Sequence, residues 1–240
     1  MTMTCDILIS GGGIAGLTAA AAFGSAGFNV VCVDPTPPVT DGTAQGADMR
    51  STAMLQPARR VLEAAGIWAH LSDHAAPLQV MRIIDAGGDG DAPLTSRAFD
   101  AADISDQPFG WNFPNWLLRR ALLERLTALP NDGAASLARM ALDADAFSLA
   151  ATERSAQVLG PLTLASQRAI WPIISQHAAR LSGERIALIA EAAHVMPPIG
   201  AQGLNMSLQD IATLLELSQK YRDDLGSQPM LDAYHKARFG

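Results

Sequence analysis

The chain has 240 residues, 49% of them hydrophobic and 17% charged, enough for one large domain or two small ones around a sizeable core. That composition excludes a disordered chain. A formal net charge of -7 and a pI of about 5.1 exclude the basic face that non-specific nucleic-acid binding needs.

No charged segment followed by an apolar stretch and a cleavage site opens the chain, so no secretory signal is expected. The apolar run around Ala19–Ala22 is broken by Gly24 and Gly27, well short of the roughly 20 residues that cross a bilayer. In chain order, residues 5–10 form a short apolar run that predicts a buried strand, followed by a Gly-rich turn and an Ala-rich helix. Residues 28–34 predict a second buried strand that ends in an acid. Together they make a βαβ unit, whose near-continuous apolar strands imply a parallel sheet covered on both faces. Cys5 and Cys32 fall in these strands and are expected as small core residues in a reducing compartment.

Residues 35–48 predict a loop, and residues 49–71 a helix that Pro57 breaks or kinks. Residues 78–87 and 95–99 predict strands joined by a Gly/Asp-rich link. Residues 115–129 predict an amphipathic helix closed by Pro130. Helical periodicity returns over 137–159, strands over 164–173 and 184–190, and helices over 204–221 and 230–239.

Gly11, Gly13 and Gly16 form G-x-G-x-x-G after a strand and at the start of a helix, and Asp34 ends the next strand about 20 residues on. Gly11 allows the tight turn, Gly13 lets backbone N–H groups approach a pyrophosphate, and Gly16 lets the helix pack against the strand. The first helical residues, Ile14 and Ala15 among them, bring unpaired N–H donors and a partial positive charge to a phosphate. Asp34 is placed to accept from a ribose hydroxyl, which disfavours a 2′-phosphate. The bland reading of the same residues is a tight βα turn.

Far downstream, "RIALIAEAAHVMPPIGAQGLNMSLQDIA" leaves an apolar strand through a cramped loop and opens a helix. Glu191, Ala192, Ala193, His194, Pro198, Gln202, Gly203, Asn205 and Asp210 fall in register with the second flavin motif of the FAD-dependent aromatic hydroxylases, the group A flavoprotein monooxygenases, which this stretch resembles. "ADMRSTAML" resembles the family's arginine-bearing segment and places Arg50; "NWLLRRALLERL" resembles the helix that passes the flavin and places Asn115. "AEAAHVMPPIGAQGLNMSL" and "AIWPIISQHAARL" look most like the ubiquinone-biosynthesis hydroxylases. The resemblance implies that Glu191 reaches the ribityl hydroxyls of FAD. It also implies that the loop from Pro197 through Pro198 and Gly200 to Gly203 lies along the flavin ring. The helix beginning near Leu204 then points its N-terminus at the pyrimidine edge, with Gln202 and Asn205 in its first turn. The bland alternatives are a rigid turn for Pro197-Pro198 and a loop or capping role for His194, which is not assigned as a base. No catalytic side chain is assigned; Pro198 stands beside the flavin.

The implied fold class is α/β, a Rossmann-like FAD-binding fold with a parallel sheet plus a reduced substrate-side β region. The FAD-binding part is expected over residues 1–76 and 111–240, and remnant substrate-side strands over 77–110 with part of 160–175. The implied cofactor is FAD with NAD(P)H as co-substrate, and the implied reaction is O2-dependent hydroxylation of a small aromatic, prenylated phenol-type ring in ubiquinone biosynthesis. The alternatives are a truncated FAD-binding protein without hydroxylase activity, and an uncoupled NAD(P)H oxidase or flavin electron carrier. No metal site is expected from His70, His74, His177 and His235, which lack ligand spacing. The expected location is cytoplasmic, with a peripheral place on the inner face of the membrane, association with other ubiquinone-biosynthesis proteins and homo-oligomerisation as further expectations.

The sequence departs from the family pattern in several places. Ala190 and Glu191 stand for Gly-Asp, Ala201 and Ser207 for two further glycines, all mild changes on the page of the sequence. A strand-rich block on the order of 100 residues, the size of a small domain, is missing after the helix that ends near Leu129. "DGAASLAR" keeps the D-G-x-x-S-x-x-R spacing with Asp132, Gly133, Ser136 and Arg139. It reads either as the family's D-G motif or as a polar loop.

Overall fold

The structure, a computed structural model, describes residues 5–34, 36–85, 95–129, 174–198 and 200–239. The chain divides into two compact units: residues 1–76, 111–138 and 173–240 form the first, residues 77–110 and 139–172 the second.

In the first unit, β1 (Ile7–Ser10), α1 (Ile14–Ser25) and β2 (Val30–Val33) form the expected βαβ unit. β1 and β2 pair in parallel from Ile7 opposite Val30 to Ser10 opposite Val33, and the Gly11 N–H donates to the Val33 carbonyl at 2.7 Å. α1 is buried without a break from Gly16 to Phe23. A helix apolar all round belongs inside, and its four consecutive alanines let α4 (Asn115–Thr127), α2 (Gln56–Ala64) and α5 (Gln202–Lys220) all pack against it. The one buried hydroxyl in that stretch, Thr18, donates to the Ile14 carbonyl at 2.7 Å. β3 (Ser51–Leu55) lies beside β7 (Gly110–Pro114) in a second sheet. A single-turn helix α3 (Trp68–Leu71) and the two-residue β4 (Ala76–Pro77) complete the N-terminal part.

The second unit contains a hairpin of β5 (Val80–Asp85) and β6 (Thr95–Asp100), antiparallel from Val80 opposite Asp100 to Asp85 opposite Thr95. Alternation along the strands puts Met81, Ile83 and Phe99 on one face, and these are 50%, 55% and 46% exposed.

Back in the first unit, short strands β8 (Gln176–His177), β9 (Ser182–Gly183), β10 (Ile186–Ala187) and β11 (His194–Val195) precede α5. β8 pairs with β11 and β9 with β10, both antiparallel. α6 (Gln228–Arg238) closes the chain and packs on α5 through Met230 and Tyr234.

Four expectations need correction. Residues 51–55 form a strand, not helix: pairing with β7 overrides a helical spacing carried by few residues. Pro57 then starts α2 rather than breaking it, because a first-turn residue has no intrahelical N–H bond to lose. The strand expected over 184–190 shrinks to β10, and its end winds into a single 3-10 turn at Ala190–Ala192. Cys5 precedes β1 and is exposed, whereas Cys32 is buried. The expected helix over 137–159, the strands over 164–173 and Asp132, Gly133, Ser136 and Arg139 lie outside the described residues.

Candidate functional site

The glycine turn is built from backbone constraints. Gly11 sits at φ +117°, a region that L side chains avoid, and a Cβ on Gly16 would lie 1.8 Å from the Gly11 carbonyl oxygen. Gly13 is different. A Cβ there would meet nothing within 4 Å, so the space in front of α1 is open. Gly13 is also the N-cap of α1 and supplies no side-chain cap. The first-turn N–H groups, those of Ile14, Ala15 and Gly16, therefore face that space without helical partners.

Asp34 closes the turn. Its Oδ2 accepts from the Gly12 N–H at 2.5 Å and its Oδ1 from the Thr36 N–H at 3.1 Å. Each carboxylate oxygen keeps a further lone pair for a hydroxyl. Beneath it, burial and then the Asp34 charge push the Cys32 thiol up to about 11, so Cys32 is an inert core thiol.

The second part of the site mirrors the first. Glu191 lies in the 3-10 turn that follows β10, its side chain exposed. Pro198 and Gly200 are exposed on the loop that follows β11, and Gly200 sits at φ +62°. α5 then begins at Gln202 with Ala201 as an N-cap that again offers no side-chain cap, and a Cβ on Gly203 would meet nothing within 4 Å. Leu204 turns inward onto the core. Asn205 stitches the start of α5 to β3: its Oδ1 accepts from the Leu55 N–H at 2.9 Å, and its Nδ2 donates to the carbonyls of Ala53 and Ala201 at 2.8 Å each. Both its donors are thus used within the protein. Ser207, where the family pattern has glycine, fits because its hydroxyl donates back to the Gly203 carbonyl at 2.9 Å.

Two non-glycine residues flank this loop in the left-handed region, Ala190 at φ +54° and Ala201 at φ +55°. They are the positions where the family pattern carries glycine. The changes are therefore not as mild as their chemistry suggests, since the methyl group strains the backbone there.

A third part joins these two, and sequence reasoning found only half of it. Arg50 donates from Nε and Nη2 to the two oxygens of Asp48, at 2.8 and 2.7 Å. Asp48 also accepts from Asn115 Nδ2 at 3.0 Å and Arg119 Nη2 at 3.4 Å. Asn115 accepts from Thr52 Oγ1 at 2.6 Å, and its own N–H donates to the Arg50 carbonyl at 2.8 Å. Burial pushes the Asp48 carboxyl up, but the hydrogen bonds from Arg50 and Asn115 and the charges of Arg50 and Arg119 outweigh it and hold the group at about 2. The Arg50 guanidinium is held more firmly protonated, first by its hydrogen bond to Asp48, against desolvation, and then by the charges of Asp48 and Glu191. Asp48, Thr52 and Arg119 were missed; the D-x-R spacing of Asp48 and Arg50 was the available local signal.

His194 is neither a plain loop residue nor a cap. Its Nε2 meets Asp210 Oδ2 at 2.7 Å, and Arg238 Nε donates to Asp210 Oδ1 at 2.8 Å. The fully buried Asp210 thereby ties β11, α5 and α6 together. Tyr234 donates from its hydroxyl to the Leu188 carbonyl at 2.7 Å, and burial followed by the Asp210 charge pushes its phenol up. A cavity of about 510 Å³ opens beside Glu191 and His194, with Gln176 and His177 on its other wall.

The fit to a dinucleotide follows from these observations. Two uncapped helix N-termini, each with an open glycine, belong to helices that pack on each other, and an arginine and two carboxylates stand with them in one unit.

Comparison with known proteins points the same way. A family model described as an FAD binding domain matches residues 4–157 and 145–239. Ubiquinone hydroxylase UbiL of Rhodospirillum rubrum is 26% identical over 338 positions, covering 97% of this chain and 77% of that protein. Since this chain has 240 residues, on the order of 100 of those positions have no counterpart in it. The mitochondrial ubiquinone biosynthesis monooxygenase COQ6 of Rattus norvegicus is 38% identical over 93 residues, 36% of this chain but 20% of that protein. Among solved structures, PqsL of Pseudomonas aeruginosa, a probable FAD-dependent monooxygenase, superposes with a TM-score of 0.68 at 16% identity, covering 98% of this chain and 92% of that one.

Proposed function

Because the chain belongs to the FAD-binding domain family, we propose that it is an FAD-dependent monooxygenase that hydroxylates a prenylated phenol-type ring with electrons from NAD(P)H. In the overall reaction one atom of O2 replaces a ring hydrogen as hydroxyl. The other leaves as water, with the hydride of NAD(P)H and one proton. When bound, FAD supplies the redox and oxygen chemistry.

The residues of this chain do the rest. The N–H groups at the start of α1 would hold the pyrophosphate. The remaining lone pairs of Asp34 would take a ribose hydroxyl, and Glu191 the ribityl hydroxyls. The loop from Pro197 to Gly203 carries small residues that let backbone lie close to the ring. The N-terminus of α5 would favour negative charge at the pyrimidine edge. Arg50 would face the anionic part of the cofactor.

The observation that carries this reading is the pairing of two uncapped, glycine-bearing helix starts on helices that pack together in one unit. The similarity to UbiL and COQ6 supports the choice of ring. A prenylated ring partitions into lipid, so peripheral membrane contact and association with other ubiquinone-biosynthesis proteins go with the proposal. Among the described residues no helix is long and apolar enough to cross a membrane. The test is the absorption spectrum of the purified chain with and without added FAD, followed by NAD(P)H oxidation with and without a prenylated phenol. Substrate-stimulated oxidation with a hydroxylated product is expected. A chain that takes up no flavin refutes the reading.

A further inference from the structure

The loop that carries Pro197, Pro198 and Gly200 leaves β11 and enters α5, and a side-chain bond joins those two elements across its base. His194, the first residue of β11, meets Asp210 Oδ2 through Nε2 at 2.7 Å, and Asp210 lies about two turns into α5. The two side chains are 11% and 1% exposed. The other oxygen of Asp210 accepts from Arg238 Nε at 2.8 Å, and Arg238 Nη2 donates to the Met206 carbonyl at 3.3 Å. Asn205 fixes the far end of the loop by donating to the Ala201 carbonyl at 2.8 Å. The loop itself is short of anchors, because Pro197 and Pro198 have no N–H to donate. Its course is therefore set from its two ends.

The roles within the cluster follow from its chemistry. Asp210, paired with the guanidinium of Arg238, accepts at both oxygens, so the proton between Asp210 and His194 belongs to Nε2. His194 Nδ1 is buried and has no hydrogen-bond partner among the described residues. A proton there would be a buried donor with no acceptor. The neutral ring is thus the Nε2–H tautomer, and among the described residues the bond to Asp210 is the one polar contact that orients it. We propose that His194 is a positioning residue for the cofactor: its Nε2–H bond to Asp210 staples the exit of β11 to α5 and so holds the loop from Pro197 to Gly203 in the course that brings its backbone to the flavin. The inference rests on FAD occupying the site.

Three substitutions read as the FAD dissociation constant test it. A glutamine amide nitrogen stands about where Nε2 does, and an asparagine amide nitrogen about where Nδ1 does. His194→Gln should keep the staple and hold Kd within about threefold of the parent, whereas His194→Asn and His194→Leu should raise it about tenfold, the scale of one lost hydrogen bond to a charged group. Ser25→Ala supplies the contrast for stability alone. Ser25 lies at the far end of α1 and donates to the Ala65 carbonyl at 2.9 Å, so its loss should lower Tm and leave Kd unchanged. A second measurement needs no folded variant beyond His194→Gln. In cofactor-free protein labelled with nitrogen-15 at its histidines, at pH 8, the ring signal that His194→Gln removes should be that of an Nε2–H tautomer. Equal losses of affinity in all three variants, no loss in any, a loss in Ser25→Ala matching that of His194→Leu, or an Nδ1–H ring each overturns the proposal. A parent that takes up no FAD overturns the functional reading and this inference with it, while a parent that binds FAD and shows any of those four results overturns this inference alone.

Discussion

Ala190 and Ala201 bring left-handed backbone to the two ends of the loop that carries Glu191, Pro198 and Gly200, at φ +54° and +55°. Replacing each by glycine removes the clash between Cβ and the following carbonyl, a gain of about 1–2 kcal/mol per site. Two terms oppose it. Glycine enlarges the conformational freedom of the unfolded chain, which costs about 0.4–1 kcal/mol. Each alanine is half-buried, so the lost methyl forfeits up to about 0.4 kcal/mol, half the value of a fully buried group. The balance is a stabilisation of about 0.5 kcal/mol per site, or about 1 kcal/mol for the pair, which in a chain of this size raises Tm by about 2–4 °C. The assay is thermal unfolding of cofactor-free protein followed by circular dichroism. Ala58→Gly provides the contrast. Ala58 is buried in right-handed α2, so the same replacement there should lose about 1 kcal/mol or more. If Ala190→Gly and Ala201→Gly destabilise the protein as Ala58→Gly does, the two positions are not left-handed and the strain argument fails.

The two glycines of the first turn should separate binding from folding. Gly13→Val points its side chain into open space, so the cofactor-free protein should lose no more than about 1 kcal/mol, the scale of a poorer N-cap, while losing FAD; undiminished flavin content would sink the assignment of that space. Gly16→Ala drives a Cβ to within 1.8 Å of the Gly11 carbonyl and should destabilise the fold itself, which a parent-like Tm would contradict. Asp48 makes a pH prediction. Its folded carboxyl lies at about 2, below the ordinary value of 3.8, so its stabilisation is complete above about pH 4 and lost as pH falls through about 2. Asp48→Asn should therefore lose about 1–2 kcal/mol near neutrality, with about half of that difference still present at pH 3; a difference already gone at pH 4 would show that the cluster does not hold the charge. The stretch of UbiL that has no counterpart here predicts poor exclusion of water from the site. Most electrons from NAD(P)H should then appear as hydrogen peroxide when peroxide and product are assayed in one tube, and tight coupling would count against an open site.

The parts of this site that were legible in the sequence are those whose signal is local. The first βαβ unit announces itself through glycine spacing bracketed by two apolar runs. The loop from Glu191 to Asn205 was legible because nine residues fall in register with one family pattern. What escaped is nonlocal. Asp48 gathers partners from 67 and 71 residues away, and no periodicity near residue 48 reports them. His194 looked like a loop residue because Asp210 and Arg238, which give it its role, arrive from two later helices. β3 looked helical because its few apolar residues fit either period, and only pairing with β7 decides between them. The left-handed backbone at Ala190 and Ala201 was hinted at by the glycines of the family pattern, but an alanine in a sequence does not disclose its φ.

The most direct test of the account supplies the FAD-loaded chain with NAD(P)H, a prenylated phenol and isotopically heavy O2, and weighs the product. The account predicts a hydroxylated ring carrying one heavy oxygen atom, formed only when FAD, NAD(P)H and the phenol are all present. A chain that holds FAD and consumes NAD(P)H yet leaves the phenol unchanged would contradict it.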